Sequence, residues 1–300
     1  MFDTIIIGGG PAGLSAALYC ARSALKTLVM EKYPICGGQM LLTDIIDNFP
    51  GNPPVDGSKL ALKLREQAAA AGAEFIYADV SKLGDGKIKT VFAGEKEYTA
   101  RTVIYAAGAV HRKLEVPGEA ELAGKGVSYC AVCDGGFFRD KTTAVIGGGD
   151  TALKDALYLS ALCRKVYLIH RRNEFRGSPT LLKRCESTEN IEIIRNTVCT
   201  RIHGSEKVTG ISVLSGNISR EIECDGVFAA VGMSPVSGLL DGICDIDEKG
   251  YIKAGEDCVT SAPGIFSAGD VRRKALRQIV TACADGANAA YSAKEYLTVT

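Results

Sequence analysis

The sequence lacks an excess of charge of either sign, since 35 lysines and arginines balance 35 aspartates and glutamates. Without a net field, neither nucleic acid nor an anionic membrane surface is expected as a partner. The chain also lacks an apolar run near the roughly 20 residues that a membrane helix needs. With 300 residues and 46% hydrophobic content, it is expected to be a soluble globular protein that is long enough for two domains.

The first residues of this sequence are not expected to be an export signal. Residues 1–3 run directly into the apolar segment 4–7, with no basic region and no small-residue cleavage site. We therefore expect a first β-strand and a cytoplasmic location. The eleven cysteines are odd in number and scattered, which argues against a secreted disulfide scaffold. Nine are expected to be small buried apolar side chains: Cys20, Cys36, Cys163, Cys185, Cys199, Cys224, Cys244, Cys258 and Cys283.

One unit occurs twice: a β-branched strand, a glycine turn, an alanine-rich helix and a second strand. The first copy has its strand at 4–7, turn at 8–13, helix at 14–24 and second strand at 27–31. The second copy has its strand at 143–146, turn at 147–152, helix at 152–162 and second strand at 165–170. This alternation predicts parallel sheets and two nucleotide-binding halves. An antiparallel meander is predicted at 198–203, 208–214 and 218–224, and a final helix at 277–297.

The first glycine turn has the spacing of a dinucleotide-binding site. Gly8 permits a tight bend, Gly10 lets backbone N–H groups approach a pyrophosphate, and Gly13 allows the helix to pack on the strand. The helix N-terminus, with about half a positive charge, then faces the phosphates. Glu31 ends the next strand, where a carboxylate accepts from ribose hydroxyls. The predicted contacts in the turn are Gly8, Gly10, Pro11, Ala12 and Gly13. A tight turn without a ligand is the alternative.

The second turn, with Gly147, Gly149, Asp150 and Thr151, is followed by a different chemistry. Where the first half has an acid, the second has His170, Arg171 and Arg172, with Arg176 shortly after. A ribose 2′-phosphate carries close to two negative charges, which guanidinium groups bind and a carboxylate repels. The second site is therefore predicted to bind NADPH, the alternative being a solvated basic loop.

Two dinucleotide sites need two ligands, and a protein that takes hydride from NADPH ordinarily holds a flavin as acceptor. The first site is then predicted to bind FAD. The predicted fold class is α/β, with two Rossmann-like FAD/NAD(P)-binding domains and the NADPH domain inserted into the FAD domain. The expected boundaries are 1–112 and 244–300 for the FAD domain and 115–241 for the NADPH domain.

Cys130 and Cys133 form the one close cysteine pair, and Asp134 follows it directly. Two cysteines with two residues between them have the spacing of a redox pair, in which one sulfur faces the flavin and the other meets a partner disulfide. A zinc site would need a second ligand pair, and none is present, while a chance buried pair stays open. Asp134 is expected to move a proton to or from these sulfurs, and a structural role in capping the following helix is compatible with that. No metal site is predicted.

These residues together closely resemble the low-molecular-weight, bacterial-type thioredoxin reductases, and the resemblance runs essentially end to end. The residues that carry it are the turn 8–13, Gly37-Gly38-Gln39 with Thr43, Asn48-Phe49-Pro50-Gly51, Cys130 and Cys133 with Asp134, His170-Arg171-Arg172 with Arg176, Gly269-Asp270, and Arg277-Gln278. After the second turn, the family commonly has two acids before an alanine, whereas this chain has Lys154-Asp155-Ala156.

The resemblance implies roles for individual residues. Cys133 is implied to be the flavin-proximal sulfur, Cys130 the interchange thiol that attacks thioredoxin, and Asp134 the proton donor. It also implies a homodimer. The implied FAD-site residues are Glu31, Gly38, Gln39, Thr43, Asn48, Val80, Ala107, Gly108, Gly269, Asp270, Arg277 and Gln278.

The leading hypothesis is an enzyme that passes electrons from NADPH through FAD and the Cys130/Cys133 dithiol to thioredoxin. Three alternatives stay open: a ferredoxin-linked thioredoxin reductase, a flavin reductase that serves a peroxidase or glutaredoxin-like partner, and a non-catalytic flavin-binding redox sensor. The intact arginine motif favours NADPH over ferredoxin as the electron donor.

Overall fold

The computed structural model describes residues 1–43 and 45–300, and the chain divides into two compact units. The outer unit comprises residues 1–110 and 234–300, and the inserted unit comprises residues 111–233. No helix within the described residues combines the length and the apolar character that a membrane span requires.

The strands, in chain order, are β1 Phe2–Ile7, β2 Thr27–Glu31, β3 Glu74–Tyr77, β4 Val80–Gly84, β5 Lys89–Ala93, β6 Lys96–Tyr105, β7 Ala109–His111, β8 Val127–Ser128, β9 Thr142–Ile146, β10 Lys165–Ile169, β11 Ile191–Ile194, β12 Thr197–Gly204, β13 Val208–Ser215, β14 Ile218–Glu223, β15 Gly226–Ala229, β16 Met233–Pro235 and β17 Ile265–Ser267. The α-helices are α1 Pro11–Arg22, α2 Gly57–Ala70, α3 Ala131–Asp134, α4 Asp150–Ser160, α5 Pro179–Glu186 and α6 Ile279–Val299. Short 3₁₀ helices lie at Gly38–Leu42, Gly135–Phe138, Gly238–Leu240 and Gly269–Val271.

The outer unit is built on a seven-stranded sheet in the order β3-β2-β1-β6-β5-β4, with β17 also pairing with β6. Strands β1, β2, β3, β6 and β17 are parallel to one another, whereas β5 pairs in antiparallel orientation with both β4 and β6. Successive residues of β1 face opposite sides, so Ile5 and Ile7 belong to one core cluster and Ile6 to the other. Burial on both faces explains the uninterrupted isoleucine run.

The inserted unit repeats this arrangement with a parallel sheet in the order β11-β10-β9-β15-β8. Val145 of β9 packs against the helices on one face, while Ala144 and Ile146 face the antiparallel meander β12-β13-β14. The parallel sheets and the meander confirm the sequence-based expectations. The predicted α/β class is likewise confirmed, because residues 111–233 interrupt the outer unit and each unit has its own parallel sheet.

Some predicted boundaries were wrong, and some elements were missed. Helix α1 begins at Pro11 and not at residue 14, because proline is tolerated in the first helical turn. The elements that were not predicted are strands β4, β7, β8, β11, β15 and β16 and helices α3 and α5. The expectation that nine cysteines are buried is wrong for Cys199 and Cys283, which are half-buried.

Candidate active site

The turn after β1 lies at the edge where the carboxyl ends of parallel strands meet, the usual position of ligands in such sheets. Gly8 has a φ of +106°, and a methyl group placed on it would come within 2.4 Å of the Ala106 carbonyl oxygen. A methyl group on Gly13 would lie 1.9 Å from the Gly8 oxygen. A methyl group on Gly10 meets only the Gly38 Cα, at 3.9 Å, so the space beside Gly10 is open to a ligand.

The start of α1 offers unpaired backbone donors to an anion. Gly10 is the N-cap, no side chain caps the helix, and its first turn contains no acidic residue. Glu31 is held beside this turn: its Oε2 accepts from the Gly9 N–H at 2.6 Å and its Oε1 from the Tyr33 N–H at 3.1 Å. The glycine turn and the Glu31 carboxylate therefore lie together in the structure, and their roles toward a dinucleotide stay predictions.

A second group of polar residues lies after β17. Gly269 approaches α1, because a methyl group on it would meet the Ala12 Cβ at 2.8 Å. Two buried atoms in this region, Asp270 Oδ1 and Arg277 Nε, have no hydrogen-bond partner among the described residues. Burial raises the pKa of Asp270, while the positive charges of Lys274 and Arg277 act in the opposite direction. Buried groups without partners are costly, so an acceptor and a donor left open at one site indicate a polar ligand. The donor set and the open turn fit FAD.

The other residues implied for the flavin site divide into three groups. Ala107 lies beside Gly8, and Gly38 lies beside Gly10. Four make hydrogen bonds near this edge: Gln39 to the Ala109 carbonyl at 2.9 Å, Gly108 from the Val236 N–H at 3.0 Å, Thr43 from the Gly57 N–H at 3.2 Å, and Asn48 to Gln278 Oε1 at 3.2 Å. Val80, in contrast, packs in the core cluster that contains Met30.

In the second turn, as in the first, the leading glycine lies close to a backbone carbonyl oxygen of a neighbouring strand end. A methyl group on Gly147 would lie 2.4 Å from the Ala230 oxygen, whereas one on Gly149 meets nothing within 4 Å. Gly149 is the N-cap of α4 and provides no side-chain cap. The Asp150 carboxylate instead accepts from the Ser178 N–H at 2.7 Å and so ties the arginine-bearing loop to the turn. This open helix terminus fits a pyrophosphate.

The loop after β10 folds back on the same turn. The N–H of Arg176 donates to the Gly148 carbonyl at 2.8 Å, and the His170 ring packs directly on Gly148. Burial, and then the charges of the neighbouring arginines, lower the pKa of His170. Arg171, Arg172 and Arg176 are exposed, and no described carboxylate lies within salt-bridge distance of them. Three guanidinium groups without a protein anion fit the 2′-phosphate of NADPH.

Cys130 and Cys133 form a disulfide at the start of α3, with their Cα atoms 5.3 Å apart. Cys130 is the N-cap, and its Sγ accepts from the Cys133 N–H at 3.2 Å. Ser128, which sequence reasoning missed, accepts from the Cys130 N–H at 3.1 Å and donates to Asp134 Oδ2 at 2.5 Å. A buried serine therefore links the acid to the backbone of the first cysteine.

The expectation that Asp134 caps the following helix is wrong. Asp134 is the last residue of α3, and its side chain makes no capping bond to the 3₁₀ helix that follows. Its carboxylate accepts from Ser128 instead. Among residues 1–43 and 45–300, no group of three or more His, Cys, Asp or Glu side chains is arranged to hold a metal ion.

Two Rossmann-like units in one chain, with a disulfide and an adjacent acid in the second, define a nucleotide-dependent disulfide oxidoreductase. The family profile described as "Pyridine nucleotide-disulphide oxidoreductase" matches residues 2–286. Thioredoxin reductase from Bacillus subtilis is 44% identical over 99% of this chain and 95% of its own length. The Treponema pallidum thioredoxin reductase is 45% identical over 99% and 97%, respectively. The crystal structure of the Streptococcus pyogenes thioredoxin reductase superposes with a TM-score of 0.94 at 42% identity, covering 100% of this chain and 99% of that one.

The chain belongs to the thioredoxin reductases of the pyridine nucleotide-disulphide oxidoreductase family. It is therefore a flavoprotein disulfide reductase with FAD and NADPH as its cofactors. The resemblance, the enzyme class and both cofactors predicted from the sequence are confirmed.

Proposed function

We propose that this chain reduces the disulfide of thioredoxin with electrons from NADPH. The observation that carries the proposal is the Cys130–Cys133 disulfide in the same unit as the Arg171, Arg172 and Arg176 loop. The name of the full-length relatives, thioredoxin reductase, supports the choice of partner.

We assign FAD to the outer unit and NADPH to the inserted unit. Glu31 would accept from ribose hydroxyls, the N-terminus of α1 would face the pyrophosphate, and Asp270 and Arg277 would take up the remaining polar groups of FAD. In the inserted unit, the N-terminus of α4 would face the pyrophosphate of NADPH, and the arginines its 2′-phosphate. Bound in this way, FAD would supply the redox chemistry that links NADPH to the Cys130–Cys133 disulfide, a transfer of two electrons.

In the reduced protein, the Cys130 thiolate attacks one sulfur of the thioredoxin disulfide and forms a mixed disulfide, while the other thioredoxin sulfur leaves as a thiolate. Cys133 then attacks Cys130, which releases the second thioredoxin thiol and restores the disulfide of this chain. Asp134 is positioned by Ser128 to give and take the proton that these sulfurs exchange.

The test is NADPH oxidation, followed by absorbance, with the purified holoprotein and thioredoxin. Thioredoxin-dependent oxidation is expected in the parent, and it should be lost in Cys130→Ser and in Cys133→Ser. Cys199→Ser is the matched control, because this free cysteine lies on β12 outside the redox pair. If reduced ferredoxin bleaches the flavin and NADPH does not, the donor assignment is wrong. If a peroxidase or glutaredoxin-like protein turns over and thioredoxin does not, the partner is wrong.

We further propose that the protein works as a cytoplasmic homodimer. Five large hydrophobic side chains are exposed in one segment of the outer unit: Tyr33, Ile35, Leu41, Leu42 and Ile45. Leu42 is 80% exposed, and so dense an apolar surface is typical of a protein interface. Sedimentation of the holoprotein tests this proposal. A dimer is expected for the parent and a weakened one for Leu42→Lys, whereas a monomeric parent would contradict it.

A further inference from the structure

A buried ion cluster lies where α6 contacts the turn Gly269–Val271. Asp285 of α6 accepts from the Gly269 N–H at 2.9 Å. Arg272 donates to both of its oxygens, through Nε at 2.8 Å and Nη2 at 2.6 Å, and Lys274 Nζ donates to Oδ2 at 2.7 Å. The side chains of all three charged residues are no more than 10% exposed. One carboxylate therefore collects four donors from the segment 269–274.

Both cations are tied to further parts of the outer unit. Arg272 Nη1 donates to the carbonyls of Ala254 and Gly255 at 3.2 and 3.1 Å. Lys274 Nζ also donates to the Thr281 carbonyl in the first turn of α6. The cluster thus joins the turn, the preceding loop and the start of the helix at defined positions.

Stability alone is a weak explanation for this cluster. Removing charges from water costs so much that buried ion pairs are often no more stabilising than apolar side chains of the same size. The two parallel hydrogen bonds from the Arg272 guanidinium fork do fix the orientation of the Asp285 carboxylate. That orientation matters for Gly269, whose φ of +80° places it in the left-handed region, and for Asp270 next to it.

The charges of the cluster do not cancel. Arg272 and Lys274 contribute two positive charges and Asp285 one negative charge. Bonds from Arg272 and Lys274 hold the pKa of Asp285 below its ordinary value, although burial, the largest influence, acts to raise it. The surplus positive charge faces Asp270, whose Oδ1 is buried without a partner.

We propose that Asp285, Arg272 and Lys274 are positioning residues for FAD, which hold the Gly269–Val271 turn so that Asp270 meets the ligand. This inference rests on the proposed assignment of FAD to the outer unit. It deepens that assignment, because residues that need not touch FAD would set the affinity for it.

The test uses full-length apoprotein, stripped of flavin and titrated with FAD while flavin fluorescence is recorded. Arg272→Lys keeps the charge and loses the fork, and we expect its Kd for FAD to rise at least about tenfold. Lys274→Met removes the surplus positive charge while Arg272 still pairs with Asp285, and a rise of about tenfold in the Kd for FAD is expected again. Lys89→Met is the control, because it removes a buried ammonium that donates to Asp85 and Gly86 and not to this turn.

Melting temperatures with and without FAD separate positioning from stability. A positioning role predicts that the rise in Tm on adding FAD shrinks in Arg272→Lys and Lys274→Met and persists in Lys89→Met. Equal losses in the apo and FAD-bound forms, or parental FAD affinity in both variants, would overturn the inference. Thioredoxin turnover is not a readout here, so failure of the proposed activity is a separate result.

Discussion

The two glycine turns of this chain share a backbone geometry and differ in the side chains that meet them. In the outer unit, the N–H of Gly9 donates to the Glu31 carboxylate. In the inserted unit, the corresponding Gly148 packs against the His170 ring, and its carbonyl accepts from the Arg176 N–H. In both units, the middle glycine contacts residues that end or follow the second strand.

Under the proposed assignment, one turn geometry would serve two nucleotides. The turn and the helix N-terminus would offer the same backbone donors to a pyrophosphate in each unit. The end of the second strand would then set the discrimination, with an acid for ribose hydroxyls or guanidinium groups for a phosphate. Changes within the turn should therefore affect folding, and changes after the second strand should affect nucleotide choice.

The largest effect is expected from the glycine that the two turns do not share, Gly13, which Ala152 replaces in the inserted unit. Because a methyl group on Gly13 would lie 1.9 Å from the Gly8 oxygen, Gly13→Ala should cost about 3 kcal/mol and abolish flavin retention. Ala152→Gly should cost only about 1 kcal/mol, the ordinary helix penalty of glycine. Urea denaturation and flavin content measure both, and similar losses would remove the distinction.

The next effect concerns nucleotide choice. Arg171→Ala and Arg172→Ala should each raise the KM for NADPH by about one to two decades, since a charged hydrogen bond contributes about 1.5 to 3 kcal/mol. The KM for NADH should change little, because NADH lacks the 2′-phosphate. Steady-state kinetics with both nucleotides check this prediction, and equal losses would show that the arginines do not face that phosphate.

A smaller effect is expected at Glu31. Replacing Glu31 with Gln keeps the shape and removes the charge, so the Kd for FAD should rise about tenfold while the KM for NADPH stays constant. Asp79→Asn serves as the control, since Asp79 is an exposed carboxylate paired with Lys32. Fluorescence titration of the apoprotein measures the affinity. A change in the KM for NADPH would contradict the separation of the two sites.

The smallest effect is a pH dependence from His170. Its pKa is lowered mainly by burial and further by Arg176, Arg171 and Arg172, with the bond to the Glu174 carbonyl acting in the opposite direction. The unfolded chain then binds the proton more tightly, so this contribution to stability is complete above about pH 6.5 and declines below it. The urea midpoint of the parent should fall from pH 7 to pH 5.5 more steeply than that of His170→Phe. Parallel slopes would exclude His170 as the cause.

The sequence predicted the parts of the fold whose signal is local. The β-branched run of β1 and the glycine turn after it carry their own pattern, and so does the strand that ends at Glu31. Strand β15 has only four residues, all buried, and β8 has two, so neither shows a period. Helix α5 is short and begins with Pro179, and its amphipathic pattern was not recognised in the sequence.

Site residues could be named from the sequence only where a residue type indicates a chemistry, as at the arginines and the cysteine pair, and their individual roles stay predictions. Ser128 carried no such signal, because its role depends on a backbone path that brings its hydroxyl between Cys130 and Asp134. Asp285 lies in an alanine-rich helix, and its partners come from the segment 269–274. A role that depends on packing between distant segments has no characteristic spacing in the sequence by which it could be recognised.

The nine free cysteines could in principle exchange with the redox disulfide, so their reactivity matters for its function. Burial raises the pKa of each of these thiols, to about 12 for Cys20, Cys224 and Cys258 and about 11 for Cys36 and Cys185. At neutral pH almost none of this sulfur is ionised, and only the ionised form attacks disulfides. A protein that makes and breaks a disulfide in every cycle thereby avoids scrambling it with its own spare thiols, and mild alkylation after reduction should label two sulfurs and spare nine.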